Sequence, residues 1–305
     1  MFNRKVVVVG SSIMDLVVKV ERRPNKGETI VGESFCMYIG GKGTNQAIAA
    51  SRLGSMVHMV GCIGNDSFGD LFLDKFKSDK INTDFVIRDP VIGTGIGTPV
   101  IDANGDNSII IIPQANMMLS PKNVEAAAEV IANADVLMLQ LEIPLETSKR
   151  AAEIAKNNGT IVILNPAPAY EIPESFFQLI DIIIPNNTEA ELLSGTTVRD
   201  DDSAKCAAEV LLSKGVGSVI FTLGELGSIF FKDNQSTLIP PYLVDVLDTT
   251  GAGDAYCGAL AASLAEGKKI EDAVYIANAA GALAVTKMGA EPSMPTRQDM
   301  EVFFG

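Results

Sequence analysis

The stretch DTTGAGDAYCGALAASLAEG, residues 248–267, sets Asp248 and Asp254 on either side of a Gly251-Ala252-Gly253 turn that opens a helix of small and apolar residues. The first amides of a helix have no intrahelical partner, and glycine lets backbone approach a ligand closely. Gly251, Ala252 and Gly253 can therefore offer N–H groups to an anion such as a phosphate in transit. A fixed carboxylate beside such a nest repels phosphate unless it has a task. Taking a proton from an attacking hydroxyl is such a task, and it falls to Asp254. The competing reading is an ordinary strand-to-helix turn with Asp254 as its cap.

Two further clusters carry polar groups at the start of a helix. YIGGKGTNQAIAASRLG places Gly40, Gly41, Lys42 and Gly43 before a helix with Asn45 in its first turn, where polar groups can read neighbouring hydroxyls of a sugar. IIPNNTEAELLSG opens a helix with Asn186, Asn187, Thr188 and Glu189, which could hold water, Mg²⁺ or phosphate, or simply cap the helix. Two nucleotide motifs are excluded by spacing. The residue five before Gly41 is Cys36, so there is no G-x-x-x-x-G-K-[ST] loop, and no G-x-G-x-x-G follows the first apolar run. The one histidine, His58, lies in the apolar stretch SMVHMVG and is read as structural. The four cysteines, Cys36, Cys62, Cys206 and Cys257, form no C-x-x-C pair, which removes a zinc-finger reading. Cys257 reads as a packed thiol, and Cys36 is the better candidate for modification.

The elements that must position these residues alternate between two periodicities. The runs KVVVVG, SMVHMVG, DVLMLQL, TIVILN, DIIIPN and SVIFTLG are apolar throughout, as strands buried on both faces are, and helical candidates separate them. This predicts an α/β fold: a doubly wound, mostly parallel sheet with helices on both faces. Residues 14–40 and 93–112 break the rhythm. Both read as strand, turn, strand, with PNKGE and ANGDN as the turns, and together they predict a small separate sheet within a single domain spanning 1–305. Such a sheet needs something to cover, a substrate or a second subunit. Its outer face is expected to carry Val18, Val20, Ile110 and Ile112.

In this order and spacing, GGKGTNQA, PNNTEAE, FTLGELG and DTTGAGDAYCGAL resemble the ribokinase/phosphofructokinase-B family of carbohydrate kinases, and LQLEIP, LNPAPA and AVTKMGAEPSMP extend the likeness over essentially the whole chain. The resemblance implies that the small sheet is a lid over the sugar and that two copies pair through their lids as a homodimer. It also implies transfer of the ATP γ-phosphate to the 5-hydroxyl of D-ribose. By position, Asp254 becomes the general base and Gly251, Ala252 and Gly253 the anion hole. The sugar falls to Ile13, Met14, Asp15, Gly41, Lys42, Gly43, Thr44, Asn45 and Glu142. Asn186 and Glu189 match an element for Mg²⁺, water and phosphate. Thr222, Leu223, Gly224, Glu225, Leu226 and Gly227 match the nucleotide loop, and Asn278 the cover of the adenine end. A K⁺ ion is implied at Asp248, Thr250, Ala284, Lys287, Gly289 and Ser293, mostly through backbone carbonyls.

One position departs from the family pattern. Ile13 stands where the resemblance leads one to expect an asparagine, and it can neither donate nor accept. A 2-deoxyribose kinase, or another furanose or nucleoside kinase, is therefore the second enzyme reading. A catalytically silent sugar-binding protein on the same fold is a third, opposed by the intact Asp254 turn. Composition sets outer limits. The 305 residues carry a formal charge of −14 with no basic run, which leaves no footprint for nucleic acid or anionic lipid. No apolar run is long enough to span a membrane, and the chain is read as cytoplasmic with small-molecule partners.

Overall fold

The run of four valines at residues 6–9 shows how the layers are built. Val6 and Val8 point into one apolar core and Val7 and Val9 into another, all four without solvent exposure. Side chains alternate across a strand, so a strand that is apolar at every position has a helical layer on each face. The computed structural model describes residues 4–233 and 235–305. Among them, no helix is long and apolar enough to cross a membrane.

In chain order the strands are β1 (Lys5–Val9), β2 (Ile13–Lys19), β3 (Ser34–Gly40), β4 (Met56–Gly64), β5 (Asn82–Asp89), β6 (Gly95–Ile101), β7 (Asn107–Ile112), β8 (Val136–Leu139), β9 (Ile161–Leu164), β10 (Ile182–Ile183), β11 (Ser218–Thr222), β12 (Ser228–Lys232) and β13 (Gln235–Ile239). The large sheet has the order β13-β12-β11-β10-β9-β8-β1-β4-β5. It is parallel from β11 through β5, while β12 and β13 add an antiparallel hairpin at one edge. All six strands expected from apolar runs are present. β5 and the β12–β13 hairpin were not foreseen, because their polar and charged residues mask the apolar run.

From β1 the chain winds outward through β4 to β5, then returns to build β8 through β11 on the other side of β1. The order reverses between β1 and β8, and in open α/β sheets a ligand crevice opens beyond the carboxyl ends of the strands at such a point. Ser11 and Glu142, just past β1 and β8, stand at that reversal.

The second sheet has the order β3-β2-β6-β7, and its strands fall within the two stretches that broke the helical rhythm. Asp15 lies opposite Tyr38 on β3 and Gly97 on β6, its carboxylate filling the space a side chain at Gly40 or Gly97 would need. The opposite face carries Phe35, Met37, Ile110 and Ile112, all exposed, beside a half-buried Val18. Val20 departs from expectation. It is only 5% exposed, because it has left the strand and turned into the chain's own packing.

Candidate functional site

Asp254 is buried in the first turn of the Ala252–Ala265 helix, whose cap residue Gly251 has φ +80°. That left-handed conformation suits glycine, and a Cβ at 251 would also lie 2.8 Å from the Met294 side chain. In front of Gly253 there is open space: a Cβ there would meet nothing within 4 Å. The Ala252 amide donates to the Thr249 carbonyl at 3.3 Å, so the opening at this helix start lies around Gly253.

Small residues on the same helix bring its partner close. A Cβ on Gly258 would lie 2.4 Å from Ala49 Cβ and 2.8 Å from the Gln46 carbonyl oxygen, so the Ala252–Ala265 helix and the Lys42–Arg52 helix meet almost backbone to backbone. The close crossing puts both oxygens of Asp254 in reach of side-chain amides. Asn45 Nδ2 donates to Oδ2 at 2.9 Å and Gln46 Nε2 to Oδ1 at 3.0 Å. Asn45 Oδ1 is buried with no hydrogen-bond partner.

The start of the Lys42–Arg52 helix is closed where the other is open. Glu142 Oε2 accepts from the Lys42 amide at 2.9 Å, Ser11 Oγ from the Gly43 amide at 3.3 Å and the Ser11 carbonyl from the Thr44 amide at 2.9 Å. Ser11 Oγ also donates to Glu142. This turn presents side chains rather than an anion nest. Three expected sugar contacts point elsewhere. Met14 is packed in the core, Thr44 is buried with its hydroxyl on the Ser11 carbonyl, and Gly43 is pressed against Gly10 and Ser11. Ile13 is buried on the Asp15 face of β2, and Gly41 caps the helix.

Around this pair the charged groups converge. Burial, then Glu142 and Asp254, push the Asp15 carboxyl from 3.8 up to about 6, against the pull of Lys42. Burial works against the Lys42 ammonium, yet Asp254, Glu142 and Glu189 hold its pKa above the ordinary value. Burial raises Glu142 and Glu189 as well, partly offset by Lys42 and by their own hydrogen bonds. Four carboxylates around one lysine leave the site short of positive charge, and added cations would complete it.

The remaining expected residues form two flanking elements. Asn186 and Glu189 cap each other reciprocally, Asn186 Oδ1 accepting from the Glu189 amide and Glu189 accepting from the Asn186 backbone and side-chain amides, each at 2.9 Å. An isolated bridge joins Asn186 to Thr222, so this cap lies beside the Thr222–Gly227 turn, with Leu223, Gly224, Glu225 and Leu226 at its surface. The Asn278 side-chain amide accepts from the Ser228 hydroxyl and donates to the Ile239 and Pro240 carbonyls. On the other flank, Asp248 Oδ1 accepts from the Thr250 amide and hydroxyl and Oδ2 from the Gly289 amide at 2.8 Å. The Lys287 amide donates to Ala284, and the Lys287 ammonium faces Asp299 at 3.8 Å, away from this loop. Ser293 is buried with its hydroxyl on the Ala290 carbonyl. Oxygen donors of this kind fit a hard cation, so the loop suits K⁺. Among the described residues no three His, Cys, Asp or Glu side chains cluster to hold a metal ion.

The family model described as pfkB family carbohydrate kinase matches residues 3–297. The chain belongs to that family. It is 41% identical over 298 residues to the ribokinase of Staphylococcus aureus, covering 97% of this chain and 98% of the relative. It is 38% identical over 292 residues to the deoxyribokinase of Salmonella typhi, covering 95% of each. Among solved structures it is similar to Arabidopsis thaliana ribokinase complexed with ribose and ATP, with TM-score 0.92, 33% identity and 97% of each chain covered.

Within this pfkB site, sequence reasoning missed Ser11, Gln46, Gln140 and Asn165. The signal was present in the pattern. Gln140 is the one polar residue in the apolar run DVLMLQL after its opening Asp135, and Gln46 is fully buried in the helix stretch NQAIAA. His58 sits on β4, outside this site and half-buried, and its Nδ1 has no partner. Cys257 is buried and Cys36 exposed on β3.

Proposed function

We propose that this chain is an ATP-dependent sugar kinase that transfers the γ-phosphate of ATP to the 5-hydroxyl of D-ribose. The observation that carries the reading is the buried carboxylate of Asp254, held by two amides beside a helix start that opens onto free space. Asp254 takes the hydroxyl proton, the sugar oxygen bonds to the γ-phosphorus, and the bond to the β-phosphate oxygen breaks to release ADP. The Gly253 amide faces the developing charge, joined by the Ala252 amide once that leaves the Thr249 carbonyl, and Gly251 sets the turn that exposes them. Asp15, Lys42, Asn45 and Glu142 hold the sugar. The Thr222–Gly227 turn holds the nucleotide, and Asn278 supports it from behind through Ile239 and Pro240.

Mg²⁺ bound to ATP near Asn186 and Glu189 would neutralise phosphate charge. K⁺ held by Asp248, Thr250, Ala284, Lys287, Gly289 and Ser293 would add positive potential behind the anion hole. The small sheet serves as a lid within one domain, and its apolar outer face, Phe35, Met37, Ile110 and Ile112, is the surface through which two copies pair. Four free cysteines suit the reducing cytoplasm. Ile13 favours a second reading on the same chemistry, a kinase for 2-deoxyribose. The test is a coupled ATP-consumption assay over a panel of furanoses, deoxyfuranoses and nucleosides. Turnover with ribose supports the first reading, preference for 2-deoxyribose the second, and sugar binding without turnover on any sugar overturns both.

A further inference from the structure

Behind Asp254 lies a chain of side-chain amides that takes no part in binding. Gln46 and Gln140 are both fully buried. Gln140 Nε2 donates to Gln46 Oε1 at 2.6 Å. Gln46 Nε2 then donates to Asp254 Oδ1 at 3.0 Å and to Asn165 Oδ1 at 3.1 Å, and Asn165 Nδ2 donates to the Ile184 carbonyl at 3.2 Å. Gln140 follows β8, Asn165 follows β9 and Ile184 follows β10, so the chain spans the carboxyl ends of three successive strands. Gln140 leaves its own Oε1 without a partner, a cost that an apolar residue there would avoid.

An amide facing a carboxylate can present either its nitrogen or its oxygen, and only the nitrogen is favourable. With Gln140 donating to its oxygen, Gln46 has one orientation, with its nitrogen on the base. We infer that Gln140 and Gln46 form a positioning relay that locks Asp254 in its proton-accepting form and aims it at the acceptor hydroxyl. The inference deepens the kinase reading and rests on Asp254 being the base. The charged groups facing Asp254 from other elements are Asp15, Lys42, Glu142 and Glu189, with the Cys257 thiol on its own helix. All of them remain in the variants below, so any change in pH dependence belongs to the relay.

The experiment measures kcat against pH, sugar KM and ribose binding by calorimetry for wild type, Gln46→Met, Gln140→Met, Gln46→Glu and Asp254→Asn, with ribose and Mg·ATP. Gln46→Met is expected to lower kcat about 10- to 100-fold, the worth of one hydrogen bond to a charged group. Ribose affinity should hold, and the acidic limb of the profile should move up by about one pH unit. Gln140→Met, which does not touch Asp254, should shift both in the same direction by less. Gln46→Glu keeps the size and replaces the donor by a second carboxylate, so activity near neutral pH should collapse. It answers the question even if the methionine variants do not fold. Wild-type kcat and an unmoved acidic limb in Gln46→Glu, or in both methionine variants, alongside an inactive Asp254→Asn, would overturn the relay and leave the base in place. An active Asp254→Asn would instead overturn the base reading itself.

Discussion

Asn45 Nδ2 lies 2.9 Å from Asp254 Oδ2 across 209 residues of chain, which ties the proposed sugar-binding helix to the proposed base by one hydrogen bond. The contact exists because Gly258 and Ala49 let the two helices cross closely. The side chain proposed to grip the sugar therefore also orients the proposed base.

Asp254→Asn keeps the shape and removes the base. Turnover should fall on the order of 100- to 10,000-fold or more, with ribose and ATP still bound. Steady-state kinetics alongside calorimetric titration of each ligand check this, and near-normal kcat would remove the assignment.

Asp15 links pH to both stability and affinity. Its carboxyl is raised to about 6 in the folded chain, by burial first, against an ordinary 3.8. The folded state thus holds this proton more tightly than the unfolded one, and the unliganded protein loses stability as pH rises from about 4 to 6. Asp15→Asn should raise Tm at pH 7.5 in the absence of sugar. If the ionised form accepts sugar hydroxyls, ribose KM should climb as pH falls below about 6. Thermal melts and KM measured over that range decide both; a flat KM would show that Asp15 binds equally well protonated.

Ile13 is buried on the same face of β2 as Asp15 and brings no hydrogen-bonding atom. 2-Deoxyribose should therefore be phosphorylated with kcat/KM within about 200-fold of ribose, the range one apolar contact can set. Ile13→Asn should then favour ribose by ~1–3 kcal/mol. Competition between the two sugars on both proteins provides the comparison, and wild-type rejection of deoxyribose by about 10,000-fold would reduce Ile13 to packing.

Hydrogen bonds from Thr250 and Gly289 outweigh burial and hold Asp248 below the ordinary carboxylate range, which keeps it charged for a cation. Replacing K⁺ by tetramethylammonium at constant ionic strength should lower kcat, and Asp248→Ala should abolish the difference between the two salts. Equal wild-type rates in both would count against a cation at this loop.

Ile110 stands 67% exposed on the outer face of β7, an edge strand of the small sheet. Sedimentation should find wild type as a dimer and Ile110→Glu as a monomer, since a charge in a paired apolar face is left without solvent or partner. A monomeric wild type would remove the dimer without touching the kinase reading.

Much of this architecture could be read from the chain alone where one periodicity dominated. The doubly buried runs marked six strands, and the glycine-rich turns at Gly41 and Gly251 marked two helix starts, though only Gly41 directly follows a strand; the segment between Ile239 and Gly251 is irregular. What stayed hidden depends on contacts that cross the sequence. Gln46 and Gln140 are 94 residues apart, and their meeting follows from the neighbouring positions of β1 and β8, which neither local pattern encodes. The partners of Asn278 stayed hidden for a related reason: the hairpin that uses its amide, β12–β13, had not been recognised. Met14 and Thr44 adjoin residues that face the site, but Met14 points to the other face of its strand from Asp15, and Thr44, one step round its helix from Asn45, turns its hydroxyl to the Ser11 carbonyl.

The strand edges differ in how they would meet another protein. The large sheet ends in β13, which begins Gln-Ser-Thr, and in β5, which carries Asp84, Arg88 and Asp89, so polar and charged groups guard both margins against further pairing. The small sheet ends in β7, where Ile109 to Ile112 form an uncharged, exposed, β-branched run on an open margin. Asp102 and Asp106 stand just before it as gatekeepers. A run of this composition is a template for cross-β stacking whenever it is left bare. The same four isoleucines would make partly unfolded chains prone to aggregate, so keeping them covered matters for the solubility of the protein.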